Sequence, residues 1–264
     1  MHLRLVPHPL VTVCLFLFLA FCWILTSYSE ILSHKSSETM AGLQPLKFIT
    51  IAAKRKHTAT VIFVHGLGDS GYGWAPVAQM YGSDPKLQHV KWVLPHAPEM
   101  SVSFNYGMKM PSWFDIAENF DMDRQDEPGM LKTATQLNQL ITNEVDNGIL
   151  PERIILGGFS QGAAMSLLTG LTTERKLGGI VVLSGWLPLS KKFKAMASDH
   201  WATDSVEFLT NELKVKRIGL PEPDTKTAGL AFHSYPGLQH SAGDQELEDL
   251  QSWLRKVVPP QEDS

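Results

Sequence analysis

The chain has almost no cysteine. Its two cysteines, Cys14 and Cys22, lie in one apolar run near the N-terminus, and none follows in residues 40–264. The body of the protein therefore contains no disulfide, no thiolate metal site and no cysteine nucleophile. A fold without disulfides is more typical of the cytosol than of a small secreted domain.

The chain also has no large excess of positive or negative charge. The formal net charge is -4 at pH 7 over 264 residues. This charge gives no electrostatic reason to expect a nucleic acid as a partner. There is no internal repeat and no low-complexity tract, and no pattern calls for a metal or another cofactor. The length fits one α/β domain with a large core.

One hydrophobic run stands apart from this ordinary composition. Residues 10–25 are apolar except for Thr12, and extending the run to Tyr28 brings it close to the length that spans a bilayer. We expect an uncleaved membrane anchor and linker in residues 1–40, ahead of a globular domain in residues 41–264. The alternatives are a cleaved signal peptide and an upstream extension. A start at Met40 would give a cytoplasmic, and in part nuclear, protein.

Short apolar runs alternate with helical patterns in the body of the chain. Such alternation predicts an α/β fold, with a mostly parallel, doubly wound sheet flanked by helices. The predicted strands are Thr60–Val64, Val90–Leu94, the run from Ile154, Gly179–Ser184 and Leu230–Tyr235. The predicted helices are Gly129–Val145, Ala163–Leu171, Ser205–Leu213 with Asp204 as its N-cap, and Gly243–Val257.

The run from Ile154 ends in Gly158-Phe159-Ser160-Gln161-Gly162, which matches the G-x-S-x-G nucleophile elbow. A strand that reverses sharply into a helix crowds its own backbone, so only glycine fits on either side of the turn. This turn raises the Ser160 hydroxyl above the sheet and places the Gln161 N–H at a helix start. We interpret Ser160 as the nucleophile; the alternative is a glycine-rich turn with a surface serine.

A second loop follows the strand Thr60–Val64, and its sequence is His65-Gly66-Leu67-Gly68. A strand followed by this pattern resembles the loop that supplies the second oxyanion amide in α/β-hydrolases. The N–H groups of Leu67 and Gln161 would then face one spot, as a tetrahedral oxyanion requires. We expect His65 to orient the loop rather than to serve as the base.

The general base is predicted to be His240. It follows the last predicted strand, in the chain order of nucleophile, acid and histidine that this fold uses. His233 is the rival, but it lies inside the predicted strand and is less free to reach Ser160. A loop histidine without a catalytic role is the alternative.

Four motifs in order resemble the acyl-protein thioesterases. They are His65–Asp69, Pro111–Asp115, Gly158–Gly162 and Leu183–Pro188. The resemblance implies an α/β-hydrolase that removes long acyl groups from S-palmitoylated proteins, and that also acts on lysophospholipids and carboxyl esters. It implies the same roles for Ser160, His240, Leu67 and Gln161. It also implies that Trp113 and Leu187 line the acyl channel.

The chain departs from this family before its last helices. The family has a further strand there, whose loop carries the acid of the triad, whereas here Asp199 and His200 lead directly into residues 201–204 without an apolar run. We interpret the chain as a deleted form that lacks one strand and the acid. The carboxylates that could take the role of the acid are Asp199, Asp204, Asp224 and Asp244.

Loss of the acid predicts impaired activity rather than none, because the nucleophile and the oxyanion amides remain. The alternative function is a membrane-tethered protein that binds acyl groups, or a protein partner, without catalysis. A product that does not fold stably is a third possibility.

Overall fold

The computed structural model describes residues 43–119, 121, 124–193, 196, 217–218 and 230–261. The chain divides into two units, Met1–Gln44 and Pro45–Ser264, and the second is described below. The predicted anchor, residues 10–28, lies outside the described residues. In the part that is described, no helix is both long and apolar enough to cross a bilayer.

The second unit alternates strands with helices. The strands are β1 (Phe48–Ile51), β2 (Ala59–Val64), β3 (Val90–Pro95), β4 (Glu99–Ser101), β5 (Lys109–Pro111), β6 (Ile154–Phe159), β7 (Gly179–Leu183), β8 (Arg217–Ile218) and β9 (Leu230–Ala231). The α-helices are α1 (Gly71–Tyr81), α2 (Glu127–Asp146), α3 (Gln161–Thr172) and α4 (Asp244–Val257).

Five strands form the central sheet, in the order β1-β3-β2-β6-β7. β1 runs antiparallel to β3, and the other neighbours are parallel. All six residues of β2 are buried, as is typical of a parallel strand covered on both faces. The prediction of a mostly parallel α/β sheet is therefore confirmed.

The core has two parts, one on each face of the sheet. In β2, Ile62 and Val64 point into the cluster that contains residues of α2 and α3. Val61 and Phe63 point into the other cluster, which contains residues of α1 and α4. This alternation follows from the two-residue period of a strand, and it makes the sheet doubly wound.

The predicted strand Leu230–Tyr235 is wrong in its length. Within the described residues, pairing is limited to Leu230 and Ala231, which pair with the two residues of β8, and Phe232 is exposed. The sequence predicts a longer strand because Leu230, Phe232 and Tyr235 are apolar or aromatic, but a strand extends only as far as it has a partner. The predicted helix Ser205–Leu213 lies outside the described residues.

The central sheet of the described chain ends at β7, and β8 and β9 form a separate pair. On β7, Val182 is 37% exposed although it lies in an apolar strand. The predicted loss of a strand beside β7 stays a prediction, because residues 197–216 and 219–229 lie outside the described residues.

Helix α4 is attached to the body at three points. The Asp84 carboxylate pairs with Arg255, the Tyr81 hydroxyl donates to the Leu247 carbonyl, and His89 Nε2 donates to the Val258 carbonyl at 2.9 Å. Because α4 follows the turn that carries His240, these contacts fix that turn relative to the sheet.

Candidate active site

Ser160 lies at the bend between β6 and α3. Its backbone has φ 54° and ψ -118°, a conformation that a residue with a side chain rarely adopts. Its N–H donates to the Leu183 carbonyl at 2.9 Å, which ties the bend to β7. Strain of this kind persists only where the surroundings over-determine it, and it is concentrated at functional sites.

The two glycines of the bend are required by contact rather than by φ. A Cβ on Gly162 would lie 2.2 Å from the Val64 carbonyl oxygen. A Cβ on Gly158 would lie 2.6 Å from the same oxygen and from the Gly162 backbone. The expectation that only glycine fits on either side of Ser160 is thus confirmed.

His240 reaches the serine. Its Nε2 lies 2.7 Å from Ser160 Oγ, and its ring packs on the Phe159 ring with centroids 5.0 Å apart. The turn that carries it is closed by hydrogen bonds from the Leu238 N–H to the Tyr235 carbonyl and from the Ser241 N–H to the Gln239 carbonyl. A hydroxyl this close to an imidazole nitrogen can transfer its proton to it.

No carboxylate in the described part of the chain forms an ion pair or hydrogen bond with His240. Asp244 is exposed in the first turn of α4. Asp199, Asp204 and Asp224 lie outside the described residues. His233 makes no recorded contact with Ser160, and its Nε2 is buried without a partner among the described residues.

The two predicted oxyanion amides belong to residues next to the serine in space or in sequence: Leu67 follows Gly66, which borders Ser160, and Gln161 follows Ser160 in the chain. A Cβ on Gly66 would lie 3.5 Å from the Ser160 Cβ, so the loop carrying Leu67 borders the serine. Within the described residues, neither the Leu67 N–H nor the Gln161 N–H has a recorded acceptor. Gln161 is also the first residue of α3, where the helix dipole favours negative charge.

His65 is buried and fully engaged with backbone groups. Its Nε2 accepts from the Ala97 N–H at 3.1 Å, and its Nδ1 donates to the Gly66 carbonyl at 2.7 Å. Burial lowers the pKa of His65 below its usual 6.5, so the ring is neutral. With both nitrogens occupied, His65 orients the loop and does not act as the base, as predicted.

Trp113 and Leu187 both lie in the core on the α2 and α3 face, with exposures of 2% and 7%. Their sequence neighbours Phe114 and Trp186 line a cleft together with Met130. The role of Trp113 and Leu187 in an acyl channel stays a prediction.

The serine lies on a strained strand-to-helix bend at the carboxyl end of a parallel strand. A histidine from the last loop contacts its hydroxyl. This is the arrangement of the α/β-hydrolases. The fold and site define this class of protein. A family model described as Phospholipase/Carboxylesterase matches residues 46–212. The chain belongs to this family.

Known relatives agree with this assignment. Acyl-protein thioesterase 1 from Cryptococcus neoformans is 46% identical over 236 residues, which cover 81% of this chain and 98% of that protein. The protein of the same name from Gibberella zeae is 45% identical over 231 residues, covering 83% and 97%. The crystal structure of Zea mays acyl-protein thioesterase 2 is 27% identical, with a TM-score of 0.64 and coverage of 80% and 99%.

The comparisons also bear on the predicted deletion. The alignment with the Cryptococcus protein is 236 residues long, whereas 81% of the 264 residues here is about 214. The relative therefore has positions without a counterpart in this chain. The family match ends at residue 212, so His240 lies beyond it.

Sequence reasoning missed two contributions to the site. One is the packing of Phe159 against His240, and the other is the set of hydrogen bonds made by the Gln161 side chain. Both residues occupy the variable positions of the G-x-S-x-G motif, which carry no signal in the pattern itself.

Proposed function

We propose that this protein is a serine hydrolase that cleaves long-chain acyl thioesters from S-acylated proteins. The single observation that carries the proposal is the 2.7 Å contact between Ser160 Oγ and His240 Nε2. The substrate class is supported by relatives named acyl-protein thioesterase, at 45–46% identity over nearly their whole length. The family description also supports carboxyl esters and lysophospholipids as further substrates.

In the first half-reaction, Ser160 Oγ attacks the thioester carbonyl carbon while its proton passes to His240 Nε2. The carbonyl oxygen becomes an oxyanion and accepts hydrogen bonds from the N–H groups of Leu67 and Gln161. Collapse of this intermediate breaks the carbon–sulfur bond. The departing cysteine sulfur takes the proton from His240, and the acyl group remains on Ser160.

In the second half-reaction, His240 removes a proton from a water molecule, which attacks the acyl-serine carbonyl. The same two amides stabilise the second oxyanion. Collapse breaks the bond to Ser160 Oγ, which recovers its proton from His240 and releases the fatty acid.

We further propose that this chain turns over slowly. An acid in the triad holds the imidazole in the correct tautomer and stabilises the imidazolium. Among the described residues, the orientation of His240 depends instead on Phe159 and on the turn before α4. Packing can hold the ring in place, but it does not compensate its positive charge.

Labelling with a fluorophosphonate tests the proposal directly, because this probe phosphonylates only an activated serine. The full chain should label, and Ser160→Ala should not. Ser166→Ala is a matched control, since the Ser166 hydroxyl is buried without a partner among the described residues, and that variant should label like the native chain. Fatty acid binding without any labelling would instead favour the non-catalytic function.

We also propose that residues 10–28 anchor the chain in a membrane when translation begins at Met1, and that a product started at Met40 is cytoplasmic. Leu17→Arg with Leu19→Arg places two charges in the apolar run, each costing about 3 kcal/mol at the centre of a spanning helix. The native full chain should resist carbonate extraction from membranes, and the variant should be extracted. Equal extraction of both would contradict the anchor.

A further inference from the structure

The side chain of Gln161 binds one loop with every polar atom it has. It is 1% exposed. Its Oε1 accepts from the Trp113 N–H at 3.0 Å, and its Nε2 donates to Ser112 Oγ at 2.9 Å and to the Phe114 carbonyl at 2.8 Å. The residue that presents one oxyanion amide on its backbone therefore fixes residues 112–114 with its side chain.

Trp113 continues this connection to the other oxyanion loop. Its indole Nε1 donates to the His65 carbonyl at 2.8 Å, and its ring packs on the His65 ring with centroids 5.0 Å apart. His65 Nδ1 in turn donates to the Gly66 carbonyl at 2.7 Å. A buried polar path thus joins the Gln161 carboxamide to the Gly66 carbonyl.

The Gly66 carbonyl and the Leu67 N–H belong to the same peptide group. Because a peptide group is planar and trans, its N–H points opposite to its carbonyl. Holding the Gly66 carbonyl toward His65 therefore directs the Leu67 N–H away from His65. A rotation of this one peptide would remove one of the two donors from the oxyanion site.

We infer that the Gln161 side chain and the Trp113 indole are positioning residues, which set the Leu67 N–H relative to the Gln161 N–H. This inference rests on the proposed function, because the two amides matter only if an oxyanion forms at Ser160. It assigns to Trp113 a role in the geometry of the site in addition to any contact with the acyl chain.

The test separates binding of the tetrahedral state from binding of the acyl chain. Gln161→Met removes the three side-chain bonds at similar volume, and Trp113→Phe replaces the indole with a phenyl ring and so removes the Nε1–H donor. The measurements are kcat and KM for 4-nitrophenyl octanoate, Ki for octylboronic acid, which forms a tetrahedral adduct with serine, and Kd for octanoate. Trp92→Phe is the matched control, because Trp92 is equally buried but lies in the opposite core cluster.

Loss of one oxyanion donor costs about 10²- to 10³-fold in kcat, and a partial misplacement costs less. We expect kcat to fall by about 10- to 100-fold in both variants. The Ki for octylboronic acid should rise by the same factor in both variants. For Gln161→Met, KM and the octanoate Kd should stay within about two-fold. The Trp92→Phe control should match the native chain in all four quantities.

Variants with native kcat and native boronate Ki would overturn the inference, and so would an equal loss of octanoate and boronate affinity in Gln161→Met. If Gln161→Met does not fold, Trp113→Phe and Ser112→Ala still test the path, because each removes a single hydrogen-bonding group. A native chain that neither hydrolyses the ester nor binds the boronate would overturn the proposed function itself. Normal native activity with normal variants would overturn only the positioning role.

Discussion

Ser160 Oγ and His240 Nε2 lie 2.7 Å apart although 80 positions separate them in the chain. The serine is held by the bend between β6 and α3, and the histidine by the turn ahead of α4. Ser160 and His240 are therefore held by separate sets of contacts. Substitutions can perturb the bend, the turn or the surrounding fold one at a time.

Gly162→Ala should damage the bend. The added Cβ would lie 2.2 Å from the Val64 carbonyl oxygen and 2.4 Å from that of His65, both of them backbone atoms that cannot move aside. We expect a loss of about 3 kcal/mol in the free energy of unfolding, together with loss of fluorophosphonate labelling. Urea unfolding measures the first effect. Gly82→Ala is the control, since its nearest contact would be 3.3 Å away and the change should be small.

The turnover of this chain should be low compared with that of a complete relative. Removing the acid of a serine triad lowers kcat by about 10⁴-fold, whereas loss of the nucleophile costs more. We expect this chain to be slower than the Cryptococcus acyl-protein thioesterase 1 by about that factor, measured on one aryl ester at one pH. Equal turnover would mean that a carboxylate outside the described residues orients His240.

Stability should decrease with acidification, in part through His65. Burial lowers the pKa of His65 in the folded state, so below pH 6.5 the unfolded chain binds a proton that the folded chain does not. The stability contributed by the neutral ring is therefore fully present above pH 6.5 and is lost as the pH falls below it. The free energy of unfolding should therefore be lower at pH 5.5 than at pH 7.5.

Urea unfolding at the two pH values, for the native chain and for His65→Gln, isolates this contribution. Part of the pH dependence should remain in the variant, because burial also lowers the pKa values of His57 and His89. An unchanged pH dependence in His65→Gln would contradict the assignment.

A buried ion pair should govern stability without affecting catalysis. Glu144 accepts from Lys91 Nζ at 2.6 Å and from Thr60 Oγ1 at 2.7 Å, and its side chain is 7% exposed. Lys91→Met leaves this carboxylate without its cation, and we expect a loss of about 3 kcal/mol on unfolding. The kcat of the folded protein should not change.

The double variant, Lys91→Met with Glu144→Leu, removes both charges and should be more stable than Lys91→Met alone. A double variant that loses as much as the sum of the two single variants would show that the pair is not coupled.

Much of the fold follows from the sequence because its signals are local. The predicted strands β2, β3 and β7 end within one residue of the observed ones, and the predicted helix Gly129–Val145 is α2 shortened at both ends. Apolar runs and a helical period mark these elements directly. By contrast, α1 contains Pro76, and β1 and the β4–β5 hairpin are short, so none of them carries a clear pattern.

The site residues could be predicted from the sequence where a motif requires a particular residue type. Ser160, Gly158 and Gly162 are fixed by the bend, and His240 by its place in the chain order. The hydrogen bonds of the Gln161 side chain could not be predicted, because they join residues 48 positions apart that no pattern connects. The extent of the last strand depends on pairing, which a single strand does not encode.

The attachment of α4 has a consequence for the integrity of the molecule. Asp84, Tyr81 and His89 hold this helix through side chains that belong to the first part of the fold, and the helix adds Leu250 and Leu254 to the core. The peptide chain between residues 196 and 230 is thus not the only link between the two parts. A protein cleaved between residues 196 and 230 should remain a non-covalent complex of two fragments. His240, in the smaller fragment, should still contact Ser160.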